Sequence, residues 1–444
     1  MSQPIHNAIQ PDENKASPLR IALVGLGTVG AGVIKLIEEN SGLLERRAGR
    51  KIEIGCITAR DRSKGRGVDT SSYTWVDDMT EMATAEDIDV VVELIGGSDG
   101  PALTLARNSL KAGKAFVTAN KAMVAHHGLD LAATAEQNNV AFKYEAAVAG
   151  GIPVIKGLRE GAAANEIARV YGILNGTCNY ILTTMEQDGS NFDDVLSDAQ
   201  KLGYAEADPS FDIDGVDAAH KLAILASLSF GTTVDFEAVD CGGIRDIVSA
   251  DISQAKALGY RIRLIGISEI DNGKLFQRVQ PYLVPEIHPL AHTLGSTNAV
   301  VAEGNFSGRL LFQGAGAGDG PTASAVVADL VDIARGDNGP AFSMPVGKLE
   351  TLPTAETGHR TGKTYIRFEV ADKPGVLAEI AAAMRDSNVS IESLIQKEKQ
   401  ADGSVLIAVV THSGPESAIE NCLATLVESP SLMSKPMVMH LLSE

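Results

Sequence analysis

LRIALVGLGTVGAG, spanning Leu19–Gly32, decides the fold. An apolar run without polar alternation, Arg20–Val24, leads straight into Gly25-x-Gly27-x-x-Gly30, and a helical pattern follows over Gly30–Asn40. The first glycine permits a tight turn, the second lets the backbone approach a pyrophosphate, and the third allows close helix packing, with phosphate at the helix N-terminus. A glycine triplet also occurs in turns of unrelated α/β proteins, so its context matters. Here further apolar runs at Ile52–Thr58, Val90–Ile95, Phe116–Ala119 and Val140–Tyr144 alternate with helical patterns at Pro101–Ala112 and Leu129–Asn138. Such runs read as strands buried on both faces of a parallel sheet.

Residues 19–150 are therefore expected to form a Rossmann-type, NAD(P)-binding α/β domain. The whole chain has 444 residues, about three domains at roughly 150 residues each. With 44% hydrophobic and 21% charged residues, it has the composition of a soluble globular protein. Its net charge of −19 argues against nucleic acid or an anionic membrane as a partner, because both need basic surface. No apolar run is long enough to span a bilayer. Cys56, Cys178, Cys241 and Cys422 show no CxxC or metal-ligand spacing, which fits reduced thiols in a cytoplasm. Residues 1–18 lack a continuous apolar segment and are expected to be a disordered tail rather than a signal peptide.

Residues 151–312 have an α+β texture, with helices at Asp193–Leu202 and Val216–Phe230 and strands at Ala168–Ile173, Ile262–Ile267 and Ala299–Glu303. This is the expected substrate and dimerisation domain. The Gly-rich stretch Gln313–Gly320 opens a helix at Pro321, and residues 313–347 should pack back to complete the first domain. Residues 348–363 read as a linker. Residues 364–444 read strand, helix, strand, strand, helix, strand. Tyr365–Val370 ends at Asp372-Lys373-Pro374-Gly375, with Pro374 suited to the first helical turn. Ala401-Asp402-Gly403-Ser404, between the expected strands Val389–Glu398 and Val405–Thr411, has the composition of a hairpin turn.

Several positions carry chemistry. After the second strand comes Arg60-Asp61-Arg62-Ser63-Lys64, where Arg60, helped by Arg62 or Lys64, would pair with a 2′-phosphate and favour NADP, while Asp61 leaves NAD open. A solvated basic loop is the alternative. Lys121 lies just past a strand's carboxyl end, where open α/β sheets bind ligands; otherwise it is a surface charge. The densest acidic segment contains Glu206, Asp208, Asp212, Asp214 and Asp217, followed by Lys221. Asp217 and Lys221 share one face of a largely apolar helix, which suits a pocket for a cationic amino group with a lysine to handle a proton. The spacing is not that of an EF-hand, and a solvated capping segment is the plain alternative. Cys178 reads either as a thioester-forming nucleophile or as a lining thiol.

The ordered motifs GLGTVGAGV, TANKAMVAHHG, KYEAAVAGGIPVI, GILNGTCNYIL, GYAEADPSFDIDGVDAAHKLAIL and GAGAGDGPTASAVVADL resemble the homoserine dehydrogenase family from about Leu19 onward. DKPGVLAEIAAAMRDSNVSIESL resembles an ACT domain, a ferredoxin-like regulatory module. The resemblance implies reversible NAD(P)H reduction of L-aspartate 4-semialdehyde to L-homoserine, on the route to threonine, methionine and isoleucine. It makes Lys221 the proton donor, places Lys121 beside cofactor and substrate, and gives Glu206, Asp217 and Asp214 to the substrate. Thr28, Val29, Gly203 and Gly318 would join Gly25, Gly27 and Gly30 along the cofactor. A sodium or other monovalent cation is implied at Glu145 and the carbonyls of Val148, Gly150 and Ile152. Threonine is the implied effector, with Asp372, Gly375 and Asn388 as contacts, or else the ACT module serves assembly alone. A homodimer or homotetramer is expected. Deleting residues beyond Lys363 should leave catalysis and remove threonine inhibition. Two other readings stay open: a phosphorylating semialdehyde dehydrogenase using Cys178, and a non-catalytic amino-acid sensor.

Overall fold

The computed structural model describes residues 17–396, 403–427 and 429–443. Most of the expected tail, and Ala401 and Asp402 of the expected turn, lie outside the described residues. The first unit is a six-stranded parallel sheet in the order Thr74–Trp75, Ile52–Thr58, Leu19–Val24, Val90–Glu93, Ala115–Thr118, Phe142–Lys143. The chain winds outward to one side of Leu19–Val24 and then to the other. That reversal opens a crevice at the strands' carboxyl ends, beside the glycine turn. The two-residue edge strand Thr74–Trp75 is too short to show a periodicity.

The helix Thr28–Glu39 begins inside the glycine motif, slightly earlier than the pattern suggests. Gly25 has φ 104°, and a Cβ there would lie 2.7 Å from the Leu94 carbonyl oxygen, so this turn admits only glycine. The helix Lys121–Gln137 also starts well before the expected Leu129. Its polar His126-His127-Gly128 stretch masks the period in the sequence, yet Gly128 is buried and lies close against Phe342. Asn120 caps the helix by accepting the Met123 N–H at 3.1 Å. The helix Asp319–Ala334 returns to pack on Thr28–Glu39, starting at Asp319 rather than Pro321; residues 313–315 still belong to the preceding strand.

The second unit is built on Gly308–Ala315, Thr297–Gly304, Ile167–Ile173, Tyr260–Asp271 and Lys274–Pro285, all antiparallel neighbours in that order. Tyr260–Asp271 and Lys274–Pro285 pair over their whole length across a tight Asn272-Gly273 turn. Pattern reading misses Lys274–Pro285 because buried Gln277 and Arg278, together with Pro281, break its apolar run. It misses Gly308–Ala315 because that edge strand is half exposed along its length.

The third unit has the expected alternation: Thr364–Ala371, Val376–Asp386, Ile391–Gln396, Ser404–Thr411, Glu416–Leu426 and Met437–Leu441. Its helix begins after Gly375, at φ 98°, so Pro374 precedes the helix instead of entering its first turn. Met437–Leu441 pairs with Thr364–Ala371 on one side and, in parallel, with Lys274–Pro285 on the other, so one sheet runs continuously through the second and third units. Residues 348–363 are accordingly not a loose linker. Glu350 bridges to Thr232, Thr354 bridges to Leu275, and Thr361–Gly362 pairs with Gly414–Pro415. Buried ion pairs reinforce the junction: Arg278 donates both terminal nitrogens to Glu416 at 2.9 and 2.8 Å, and Arg367 donates to Asp251 at 2.8 Å.

Candidate active site

The crevice at the sheet's carboxyl edge deepens into a cavity of about 540 Å³ between the first and second units. Val29, Lys121, Gly150 and Gly318 line it from one side, and Asn175, Thr177, Gly203, Tyr204, Asp212, Asp217 and Lys221 from the other. Its centre is the Asp217 carboxylate, in the first turn of the buried helix Val216–Phe230. One oxygen accepts Lys221 Nζ at 2.7 Å and Asn175 Nδ2 at 2.8 Å; the other faces Lys121 Nζ at 2.9 Å. Burial alone would raise this carboxyl's pKa, but the two ammonium groups overcome it and hold the group well below the usual carboxylate range. Burial opposes the charge of Lys121 too, yet Asp217, with Asp212 and Glu206 behind it, pushes its pKa up.

Lys221 spends one N–H on Asp217 and a second on the Leu174 carbonyl at 2.8 Å. An ammonium has three, so one donor remains for a ligand oxygen. Asp212, which the sequence offered only as one of several acids, lines the cavity and accepts Asn175 Nδ2 at 2.7 Å. Its pKa is raised by burial and by Asp217. Asn175 thus ties two carboxylates together, a role that residue type alone does not reveal. Glu93 is another silent participant. Fully buried, it accepts the Ile95 and Gly96 N–H groups and the Thr118 hydroxyl, while Asn120 donates to the Gly97 carbonyl at 2.6 Å. This ring holds the strand ends from which Lys121 projects.

Other expected positions fall differently. Asp214 is turned from the cavity toward Arg245, whose Nη2 lies 3.0 Å from it, so it does not line the cavity. Glu206 is exposed and also outside the lining, although its charge reaches Lys121. Arg60 is exposed and does not line the groove of about 390 Å³ that runs past Gly27, Thr28 and Lys35; Lys64 and Arg66 do. Arg66 is fixed there by hydrogen bonds to the carbonyls of Leu26 and Lys64, and with Arg62 it lies against the Trp75 ring. At Gly27 a Cβ would meet nothing within 4 Å, which leaves room for a pyrophosphate beside the helix start.

Glu145 is buried, and its oxygens accept the Ile155 and Lys156 N–H groups at 3.0 and 2.9 Å. Burial and the neighbouring Asp329 raise its pKa to about 7. Oδ1 of buried Asp329 makes no hydrogen bond among the described residues, with Lys156 Nζ 3.5 Å away. Ala149 and Gly150 follow with φ 58° and 54°, a left-handed pair that reorients the carbonyls around Val148–Ile152. The Lys156 ammonium offsets part of the charge of these two carboxyls, and an oxygen-only donor set of this kind suits a hard cation. In the third unit, Asp372 and Gly375 precede the helix Val376–Asp386 and Asn388 follows it. Its 11 residues separate them by roughly 16 Å, so a single chain does not bring the three together.

Cys178 is fully buried, and its Sγ contacts the Asp212 carbonyl at 3.2 Å. Burial, with Asp212 and Asp217 adding to it, pushes the thiol well above its ordinary pKa, which is the reverse of what a nucleophile needs.

Family models match each part of the chain: homoserine dehydrogenase, NAD binding domain, over residues 25–145; homoserine dehydrogenase over 153–331; and ACT domain over 364–427. The homoserine dehydrogenase of Neisseria gonorrhoeae is 42% identical over 428 residues, covering 95% of this chain and 98% of that one. The chain belongs to the homoserine dehydrogenase family. A solved homoserine dehydrogenase from Thiobacillus denitrificans superposes with a TM-score of 0.90 at 40% identity, covering 96% of this chain and 99% of that one. A hyperthermophilic archaeal homoserine dehydrogenase solved with NADPH has a TM-score of 0.61 at 28% identity, over 71% of this chain and 97% of that one. Homoserine dehydrogenase is an NAD(P)-dependent oxidoreductase acting on a CH–OH group, which the glycine turn and the lysine-rich cavity suit. Among the described residues no helix is long and apolar enough to cross a membrane.

Proposed function

We propose that L-aspartate 4-semialdehyde and L-homoserine are interconverted in the Asp217 cavity, with Lys221 handling the proton. The observation that carries this reading is the single carboxylate shared by Lys221 and Lys121. A bound nicotinamide cofactor supplies or accepts the hydride. Lys221, held in place by Asp217 and the Leu174 carbonyl, points its remaining N–H at the substrate oxygen, donating the proton during reduction and stabilising the negative charge that develops there. Asp212, with Glu206 nearer the surface, supplies carboxylate charge for the substrate's ammonium group. Lys121 bridges the cofactor and substrate sides. Fixing both ends of a small substrate is itself catalytic, because a misplaced carbonyl misses the hydride.

Lys64 and Arg66, which line the groove where the expected Arg60 does not, would take the 2′-phosphate of NADP; Gly25, Gly27, Thr28, Val29, Gly30, Gly203 and Gly318 would follow the cofactor. Glu145 and the carbonyls of Val148, Gly150 and Ile152 would hold sodium or another monovalent cation, whose charge the Glu145–Asp329 pair favours. Threonine is the proposed effector. Because Asp372 and Gly375 stand at one end of a helix and Asn388 at the other, an effector touching all three needs two chains, which supports a homodimer or homotetramer. A cytoplasmic location is part of the same proposal, and the four cysteines without CxxC or metal-ligand spacing support it. The deciding experiment is turnover of L-aspartate 4-semialdehyde with NADPH and with NADH, with and without threonine. Turnover that prefers NADPH and falls with threonine supports each part; absence of turnover with both cofactors overturns the reading.

A further inference from the structure

The two lysines that meet on Asp217 come from helices of different units, Lys121–Gln137 and Val216–Phe230. A second contact joins these helices. His126, on the Lys121 helix, places its Nε2 3.2 Å from Nε2 of His220, the residue directly before Lys221. The two rings meet edge to face with centroids 5.2 Å apart. Phe236 stacks on His220 at 4.2 Å and meets His126 edge-on at 4.9 Å. Phe211 packs on His220 at 5.6 Å while lying 5.5 Å from the Lys121 ammonium. His220 is buried, and its Nδ1 has no hydrogen-bond partner among the described residues.

A bond between two Nε2 atoms forms only when one ring carries the proton there and the other offers its lone pair, so the doubly protonated pair cannot make it. The charged groups facing the pair are Asp217 and Lys221 from one helix, and Lys121 from the other, with Asp99 held beyond by His127 at 2.8 Å. Neither His126 nor His220 lines the substrate cavity. Both sit on the seam across which the cofactor side and the substrate side must keep register.

We propose that the His126–His220 hydrogen bond, flanked by Phe236 with Phe211 against His220, is a positioning latch that fixes the two lysine-bearing helices against each other. It keeps the free N–H of Lys221 on the substrate oxygen while Lys121 stays on Asp217. Both histidines are positioning residues, and the inference rests on the reaction assigned to the cavity. Small rotations at this seam move Lys221 relative to the hydride path, and misplacements of about 1 Å are enough to slow catalysis strongly.

The test is steady-state oxidation of L-homoserine by full-length His126→Leu, His126→Phe and His126→Gln, with the double variant His126→Leu/His220→Leu and the single His220→Leu. His126→Phe keeps an aromatic ring against Phe236 and deletes only the hydrogen bond, whereas the glutamine amide still donates to His220. The latch predicts that kcat falls about tenfold in His126→Leu and His126→Phe with the KM for NADP unchanged, and that His126→Gln recovers most of it. The double variant should lose no more than the worse single one. Wild-type kcat in His126→Phe, equal losses in the glutamine and leucine variants, or multiplicative loss in the double variant overturns the latch. So does failure of all the His126 variants to fold, which would assign the pair to stability. Wild-type turnover tests the reaction and Lys221→Ala its proton donor, so a negative result for the histidines bears on the latch alone.

Discussion

Lys121 Nζ stands 2.9 Å from Oδ1 of Asp217, an ion pair that crosses from the first unit to the second. Lys221 occupies the other oxygen at 2.7 Å, so one buried carboxylate holds two ammonium groups that would otherwise repel. Asp217 is therefore both an orienting group and the charge that makes this lysine pair tolerable away from water.

Asp217→Asn should lower kcat by about 10²-fold or more, because a neutral amide leaves two ammonium groups facing each other and releases Lys221 from its place. Lys221→Ala should cost about 10²–10⁴ in kcat, the usual worth of a positioned acid–base group, with NADPH affinity nearly unchanged. Cofactor titration beside steady-state kinetics separates the two effects; near-normal turnover of Lys221→Ala would remove it as the proton donor.

Cys178→Ser should leave turnover near the wild-type value without any need for phosphate, since a buried thiol whose pKa is raised is not poised to attack a carbonyl. Loss of activity in a folded Cys178→Ser protein, together with a phosphate requirement, would restore thioester chemistry.

Burial depresses the pKa of His220 and of His440 from 6.5 to about 4. Between those values the unfolded chain binds protons that the folded chain refuses, so stability should fall as pH drops from about 6.5 toward about 4. Melting curves across that range should show the decline, and His440→Gln should make it shallower. An unchanged slope in His440→Gln would mean that this ring titrates normally.

Glu145 is shifted the other way, to about 7, so it contributes stability below its unfolded pKa and loses it as pH rises through about 7. A bound cation would favour the charged form and remove that loss. Sodium chloride should therefore raise the melting temperature above pH 7 more than a bulky organic cation at equal ionic strength, and Glu145→Gln should abolish the difference. Equal effects of both salts on the wild type would argue against a cation there.

Deleting residues beyond Lys363 should do more than remove regulation, contrary to what the sequence suggests. It strips Met437–Leu441 from the edge of Lys274–Pro285 and leaves Arg278 and Asp251 buried without Glu416 and Arg367. Breaking one such buried pair, as in Glu416→Ala, costs about 3–5 kcal/mol. The truncated chain should be poorly folded by near-ultraviolet circular dichroism, whereas Asn388→Ala should keep full activity and lose threonine inhibition. Inhibition that persists in Asn388→Ala would place the effector elsewhere.

The order of units, the glycine turn, the Asp217–Lys221 pairing and the alternation of the last unit were all determined by the sequence alone. Each depends on periodicity or on spacing within one turn of helix, and local backbone geometry converts these directly into position. Tertiary structure alone decided which charges meet. It brought Lys121 to Asp217, turned Asp214 to Arg245, set Lys64 and Arg66 in the groove in place of Arg60, and joined His126 to His220 across 94 residues. It also made residues 348–363 a strap and the last strand an edge partner of the central sheet. Residue types along a chain state which groups are available; only the packing of helices and strands from distant segments sets the few ångströms that turn a charge into a partner.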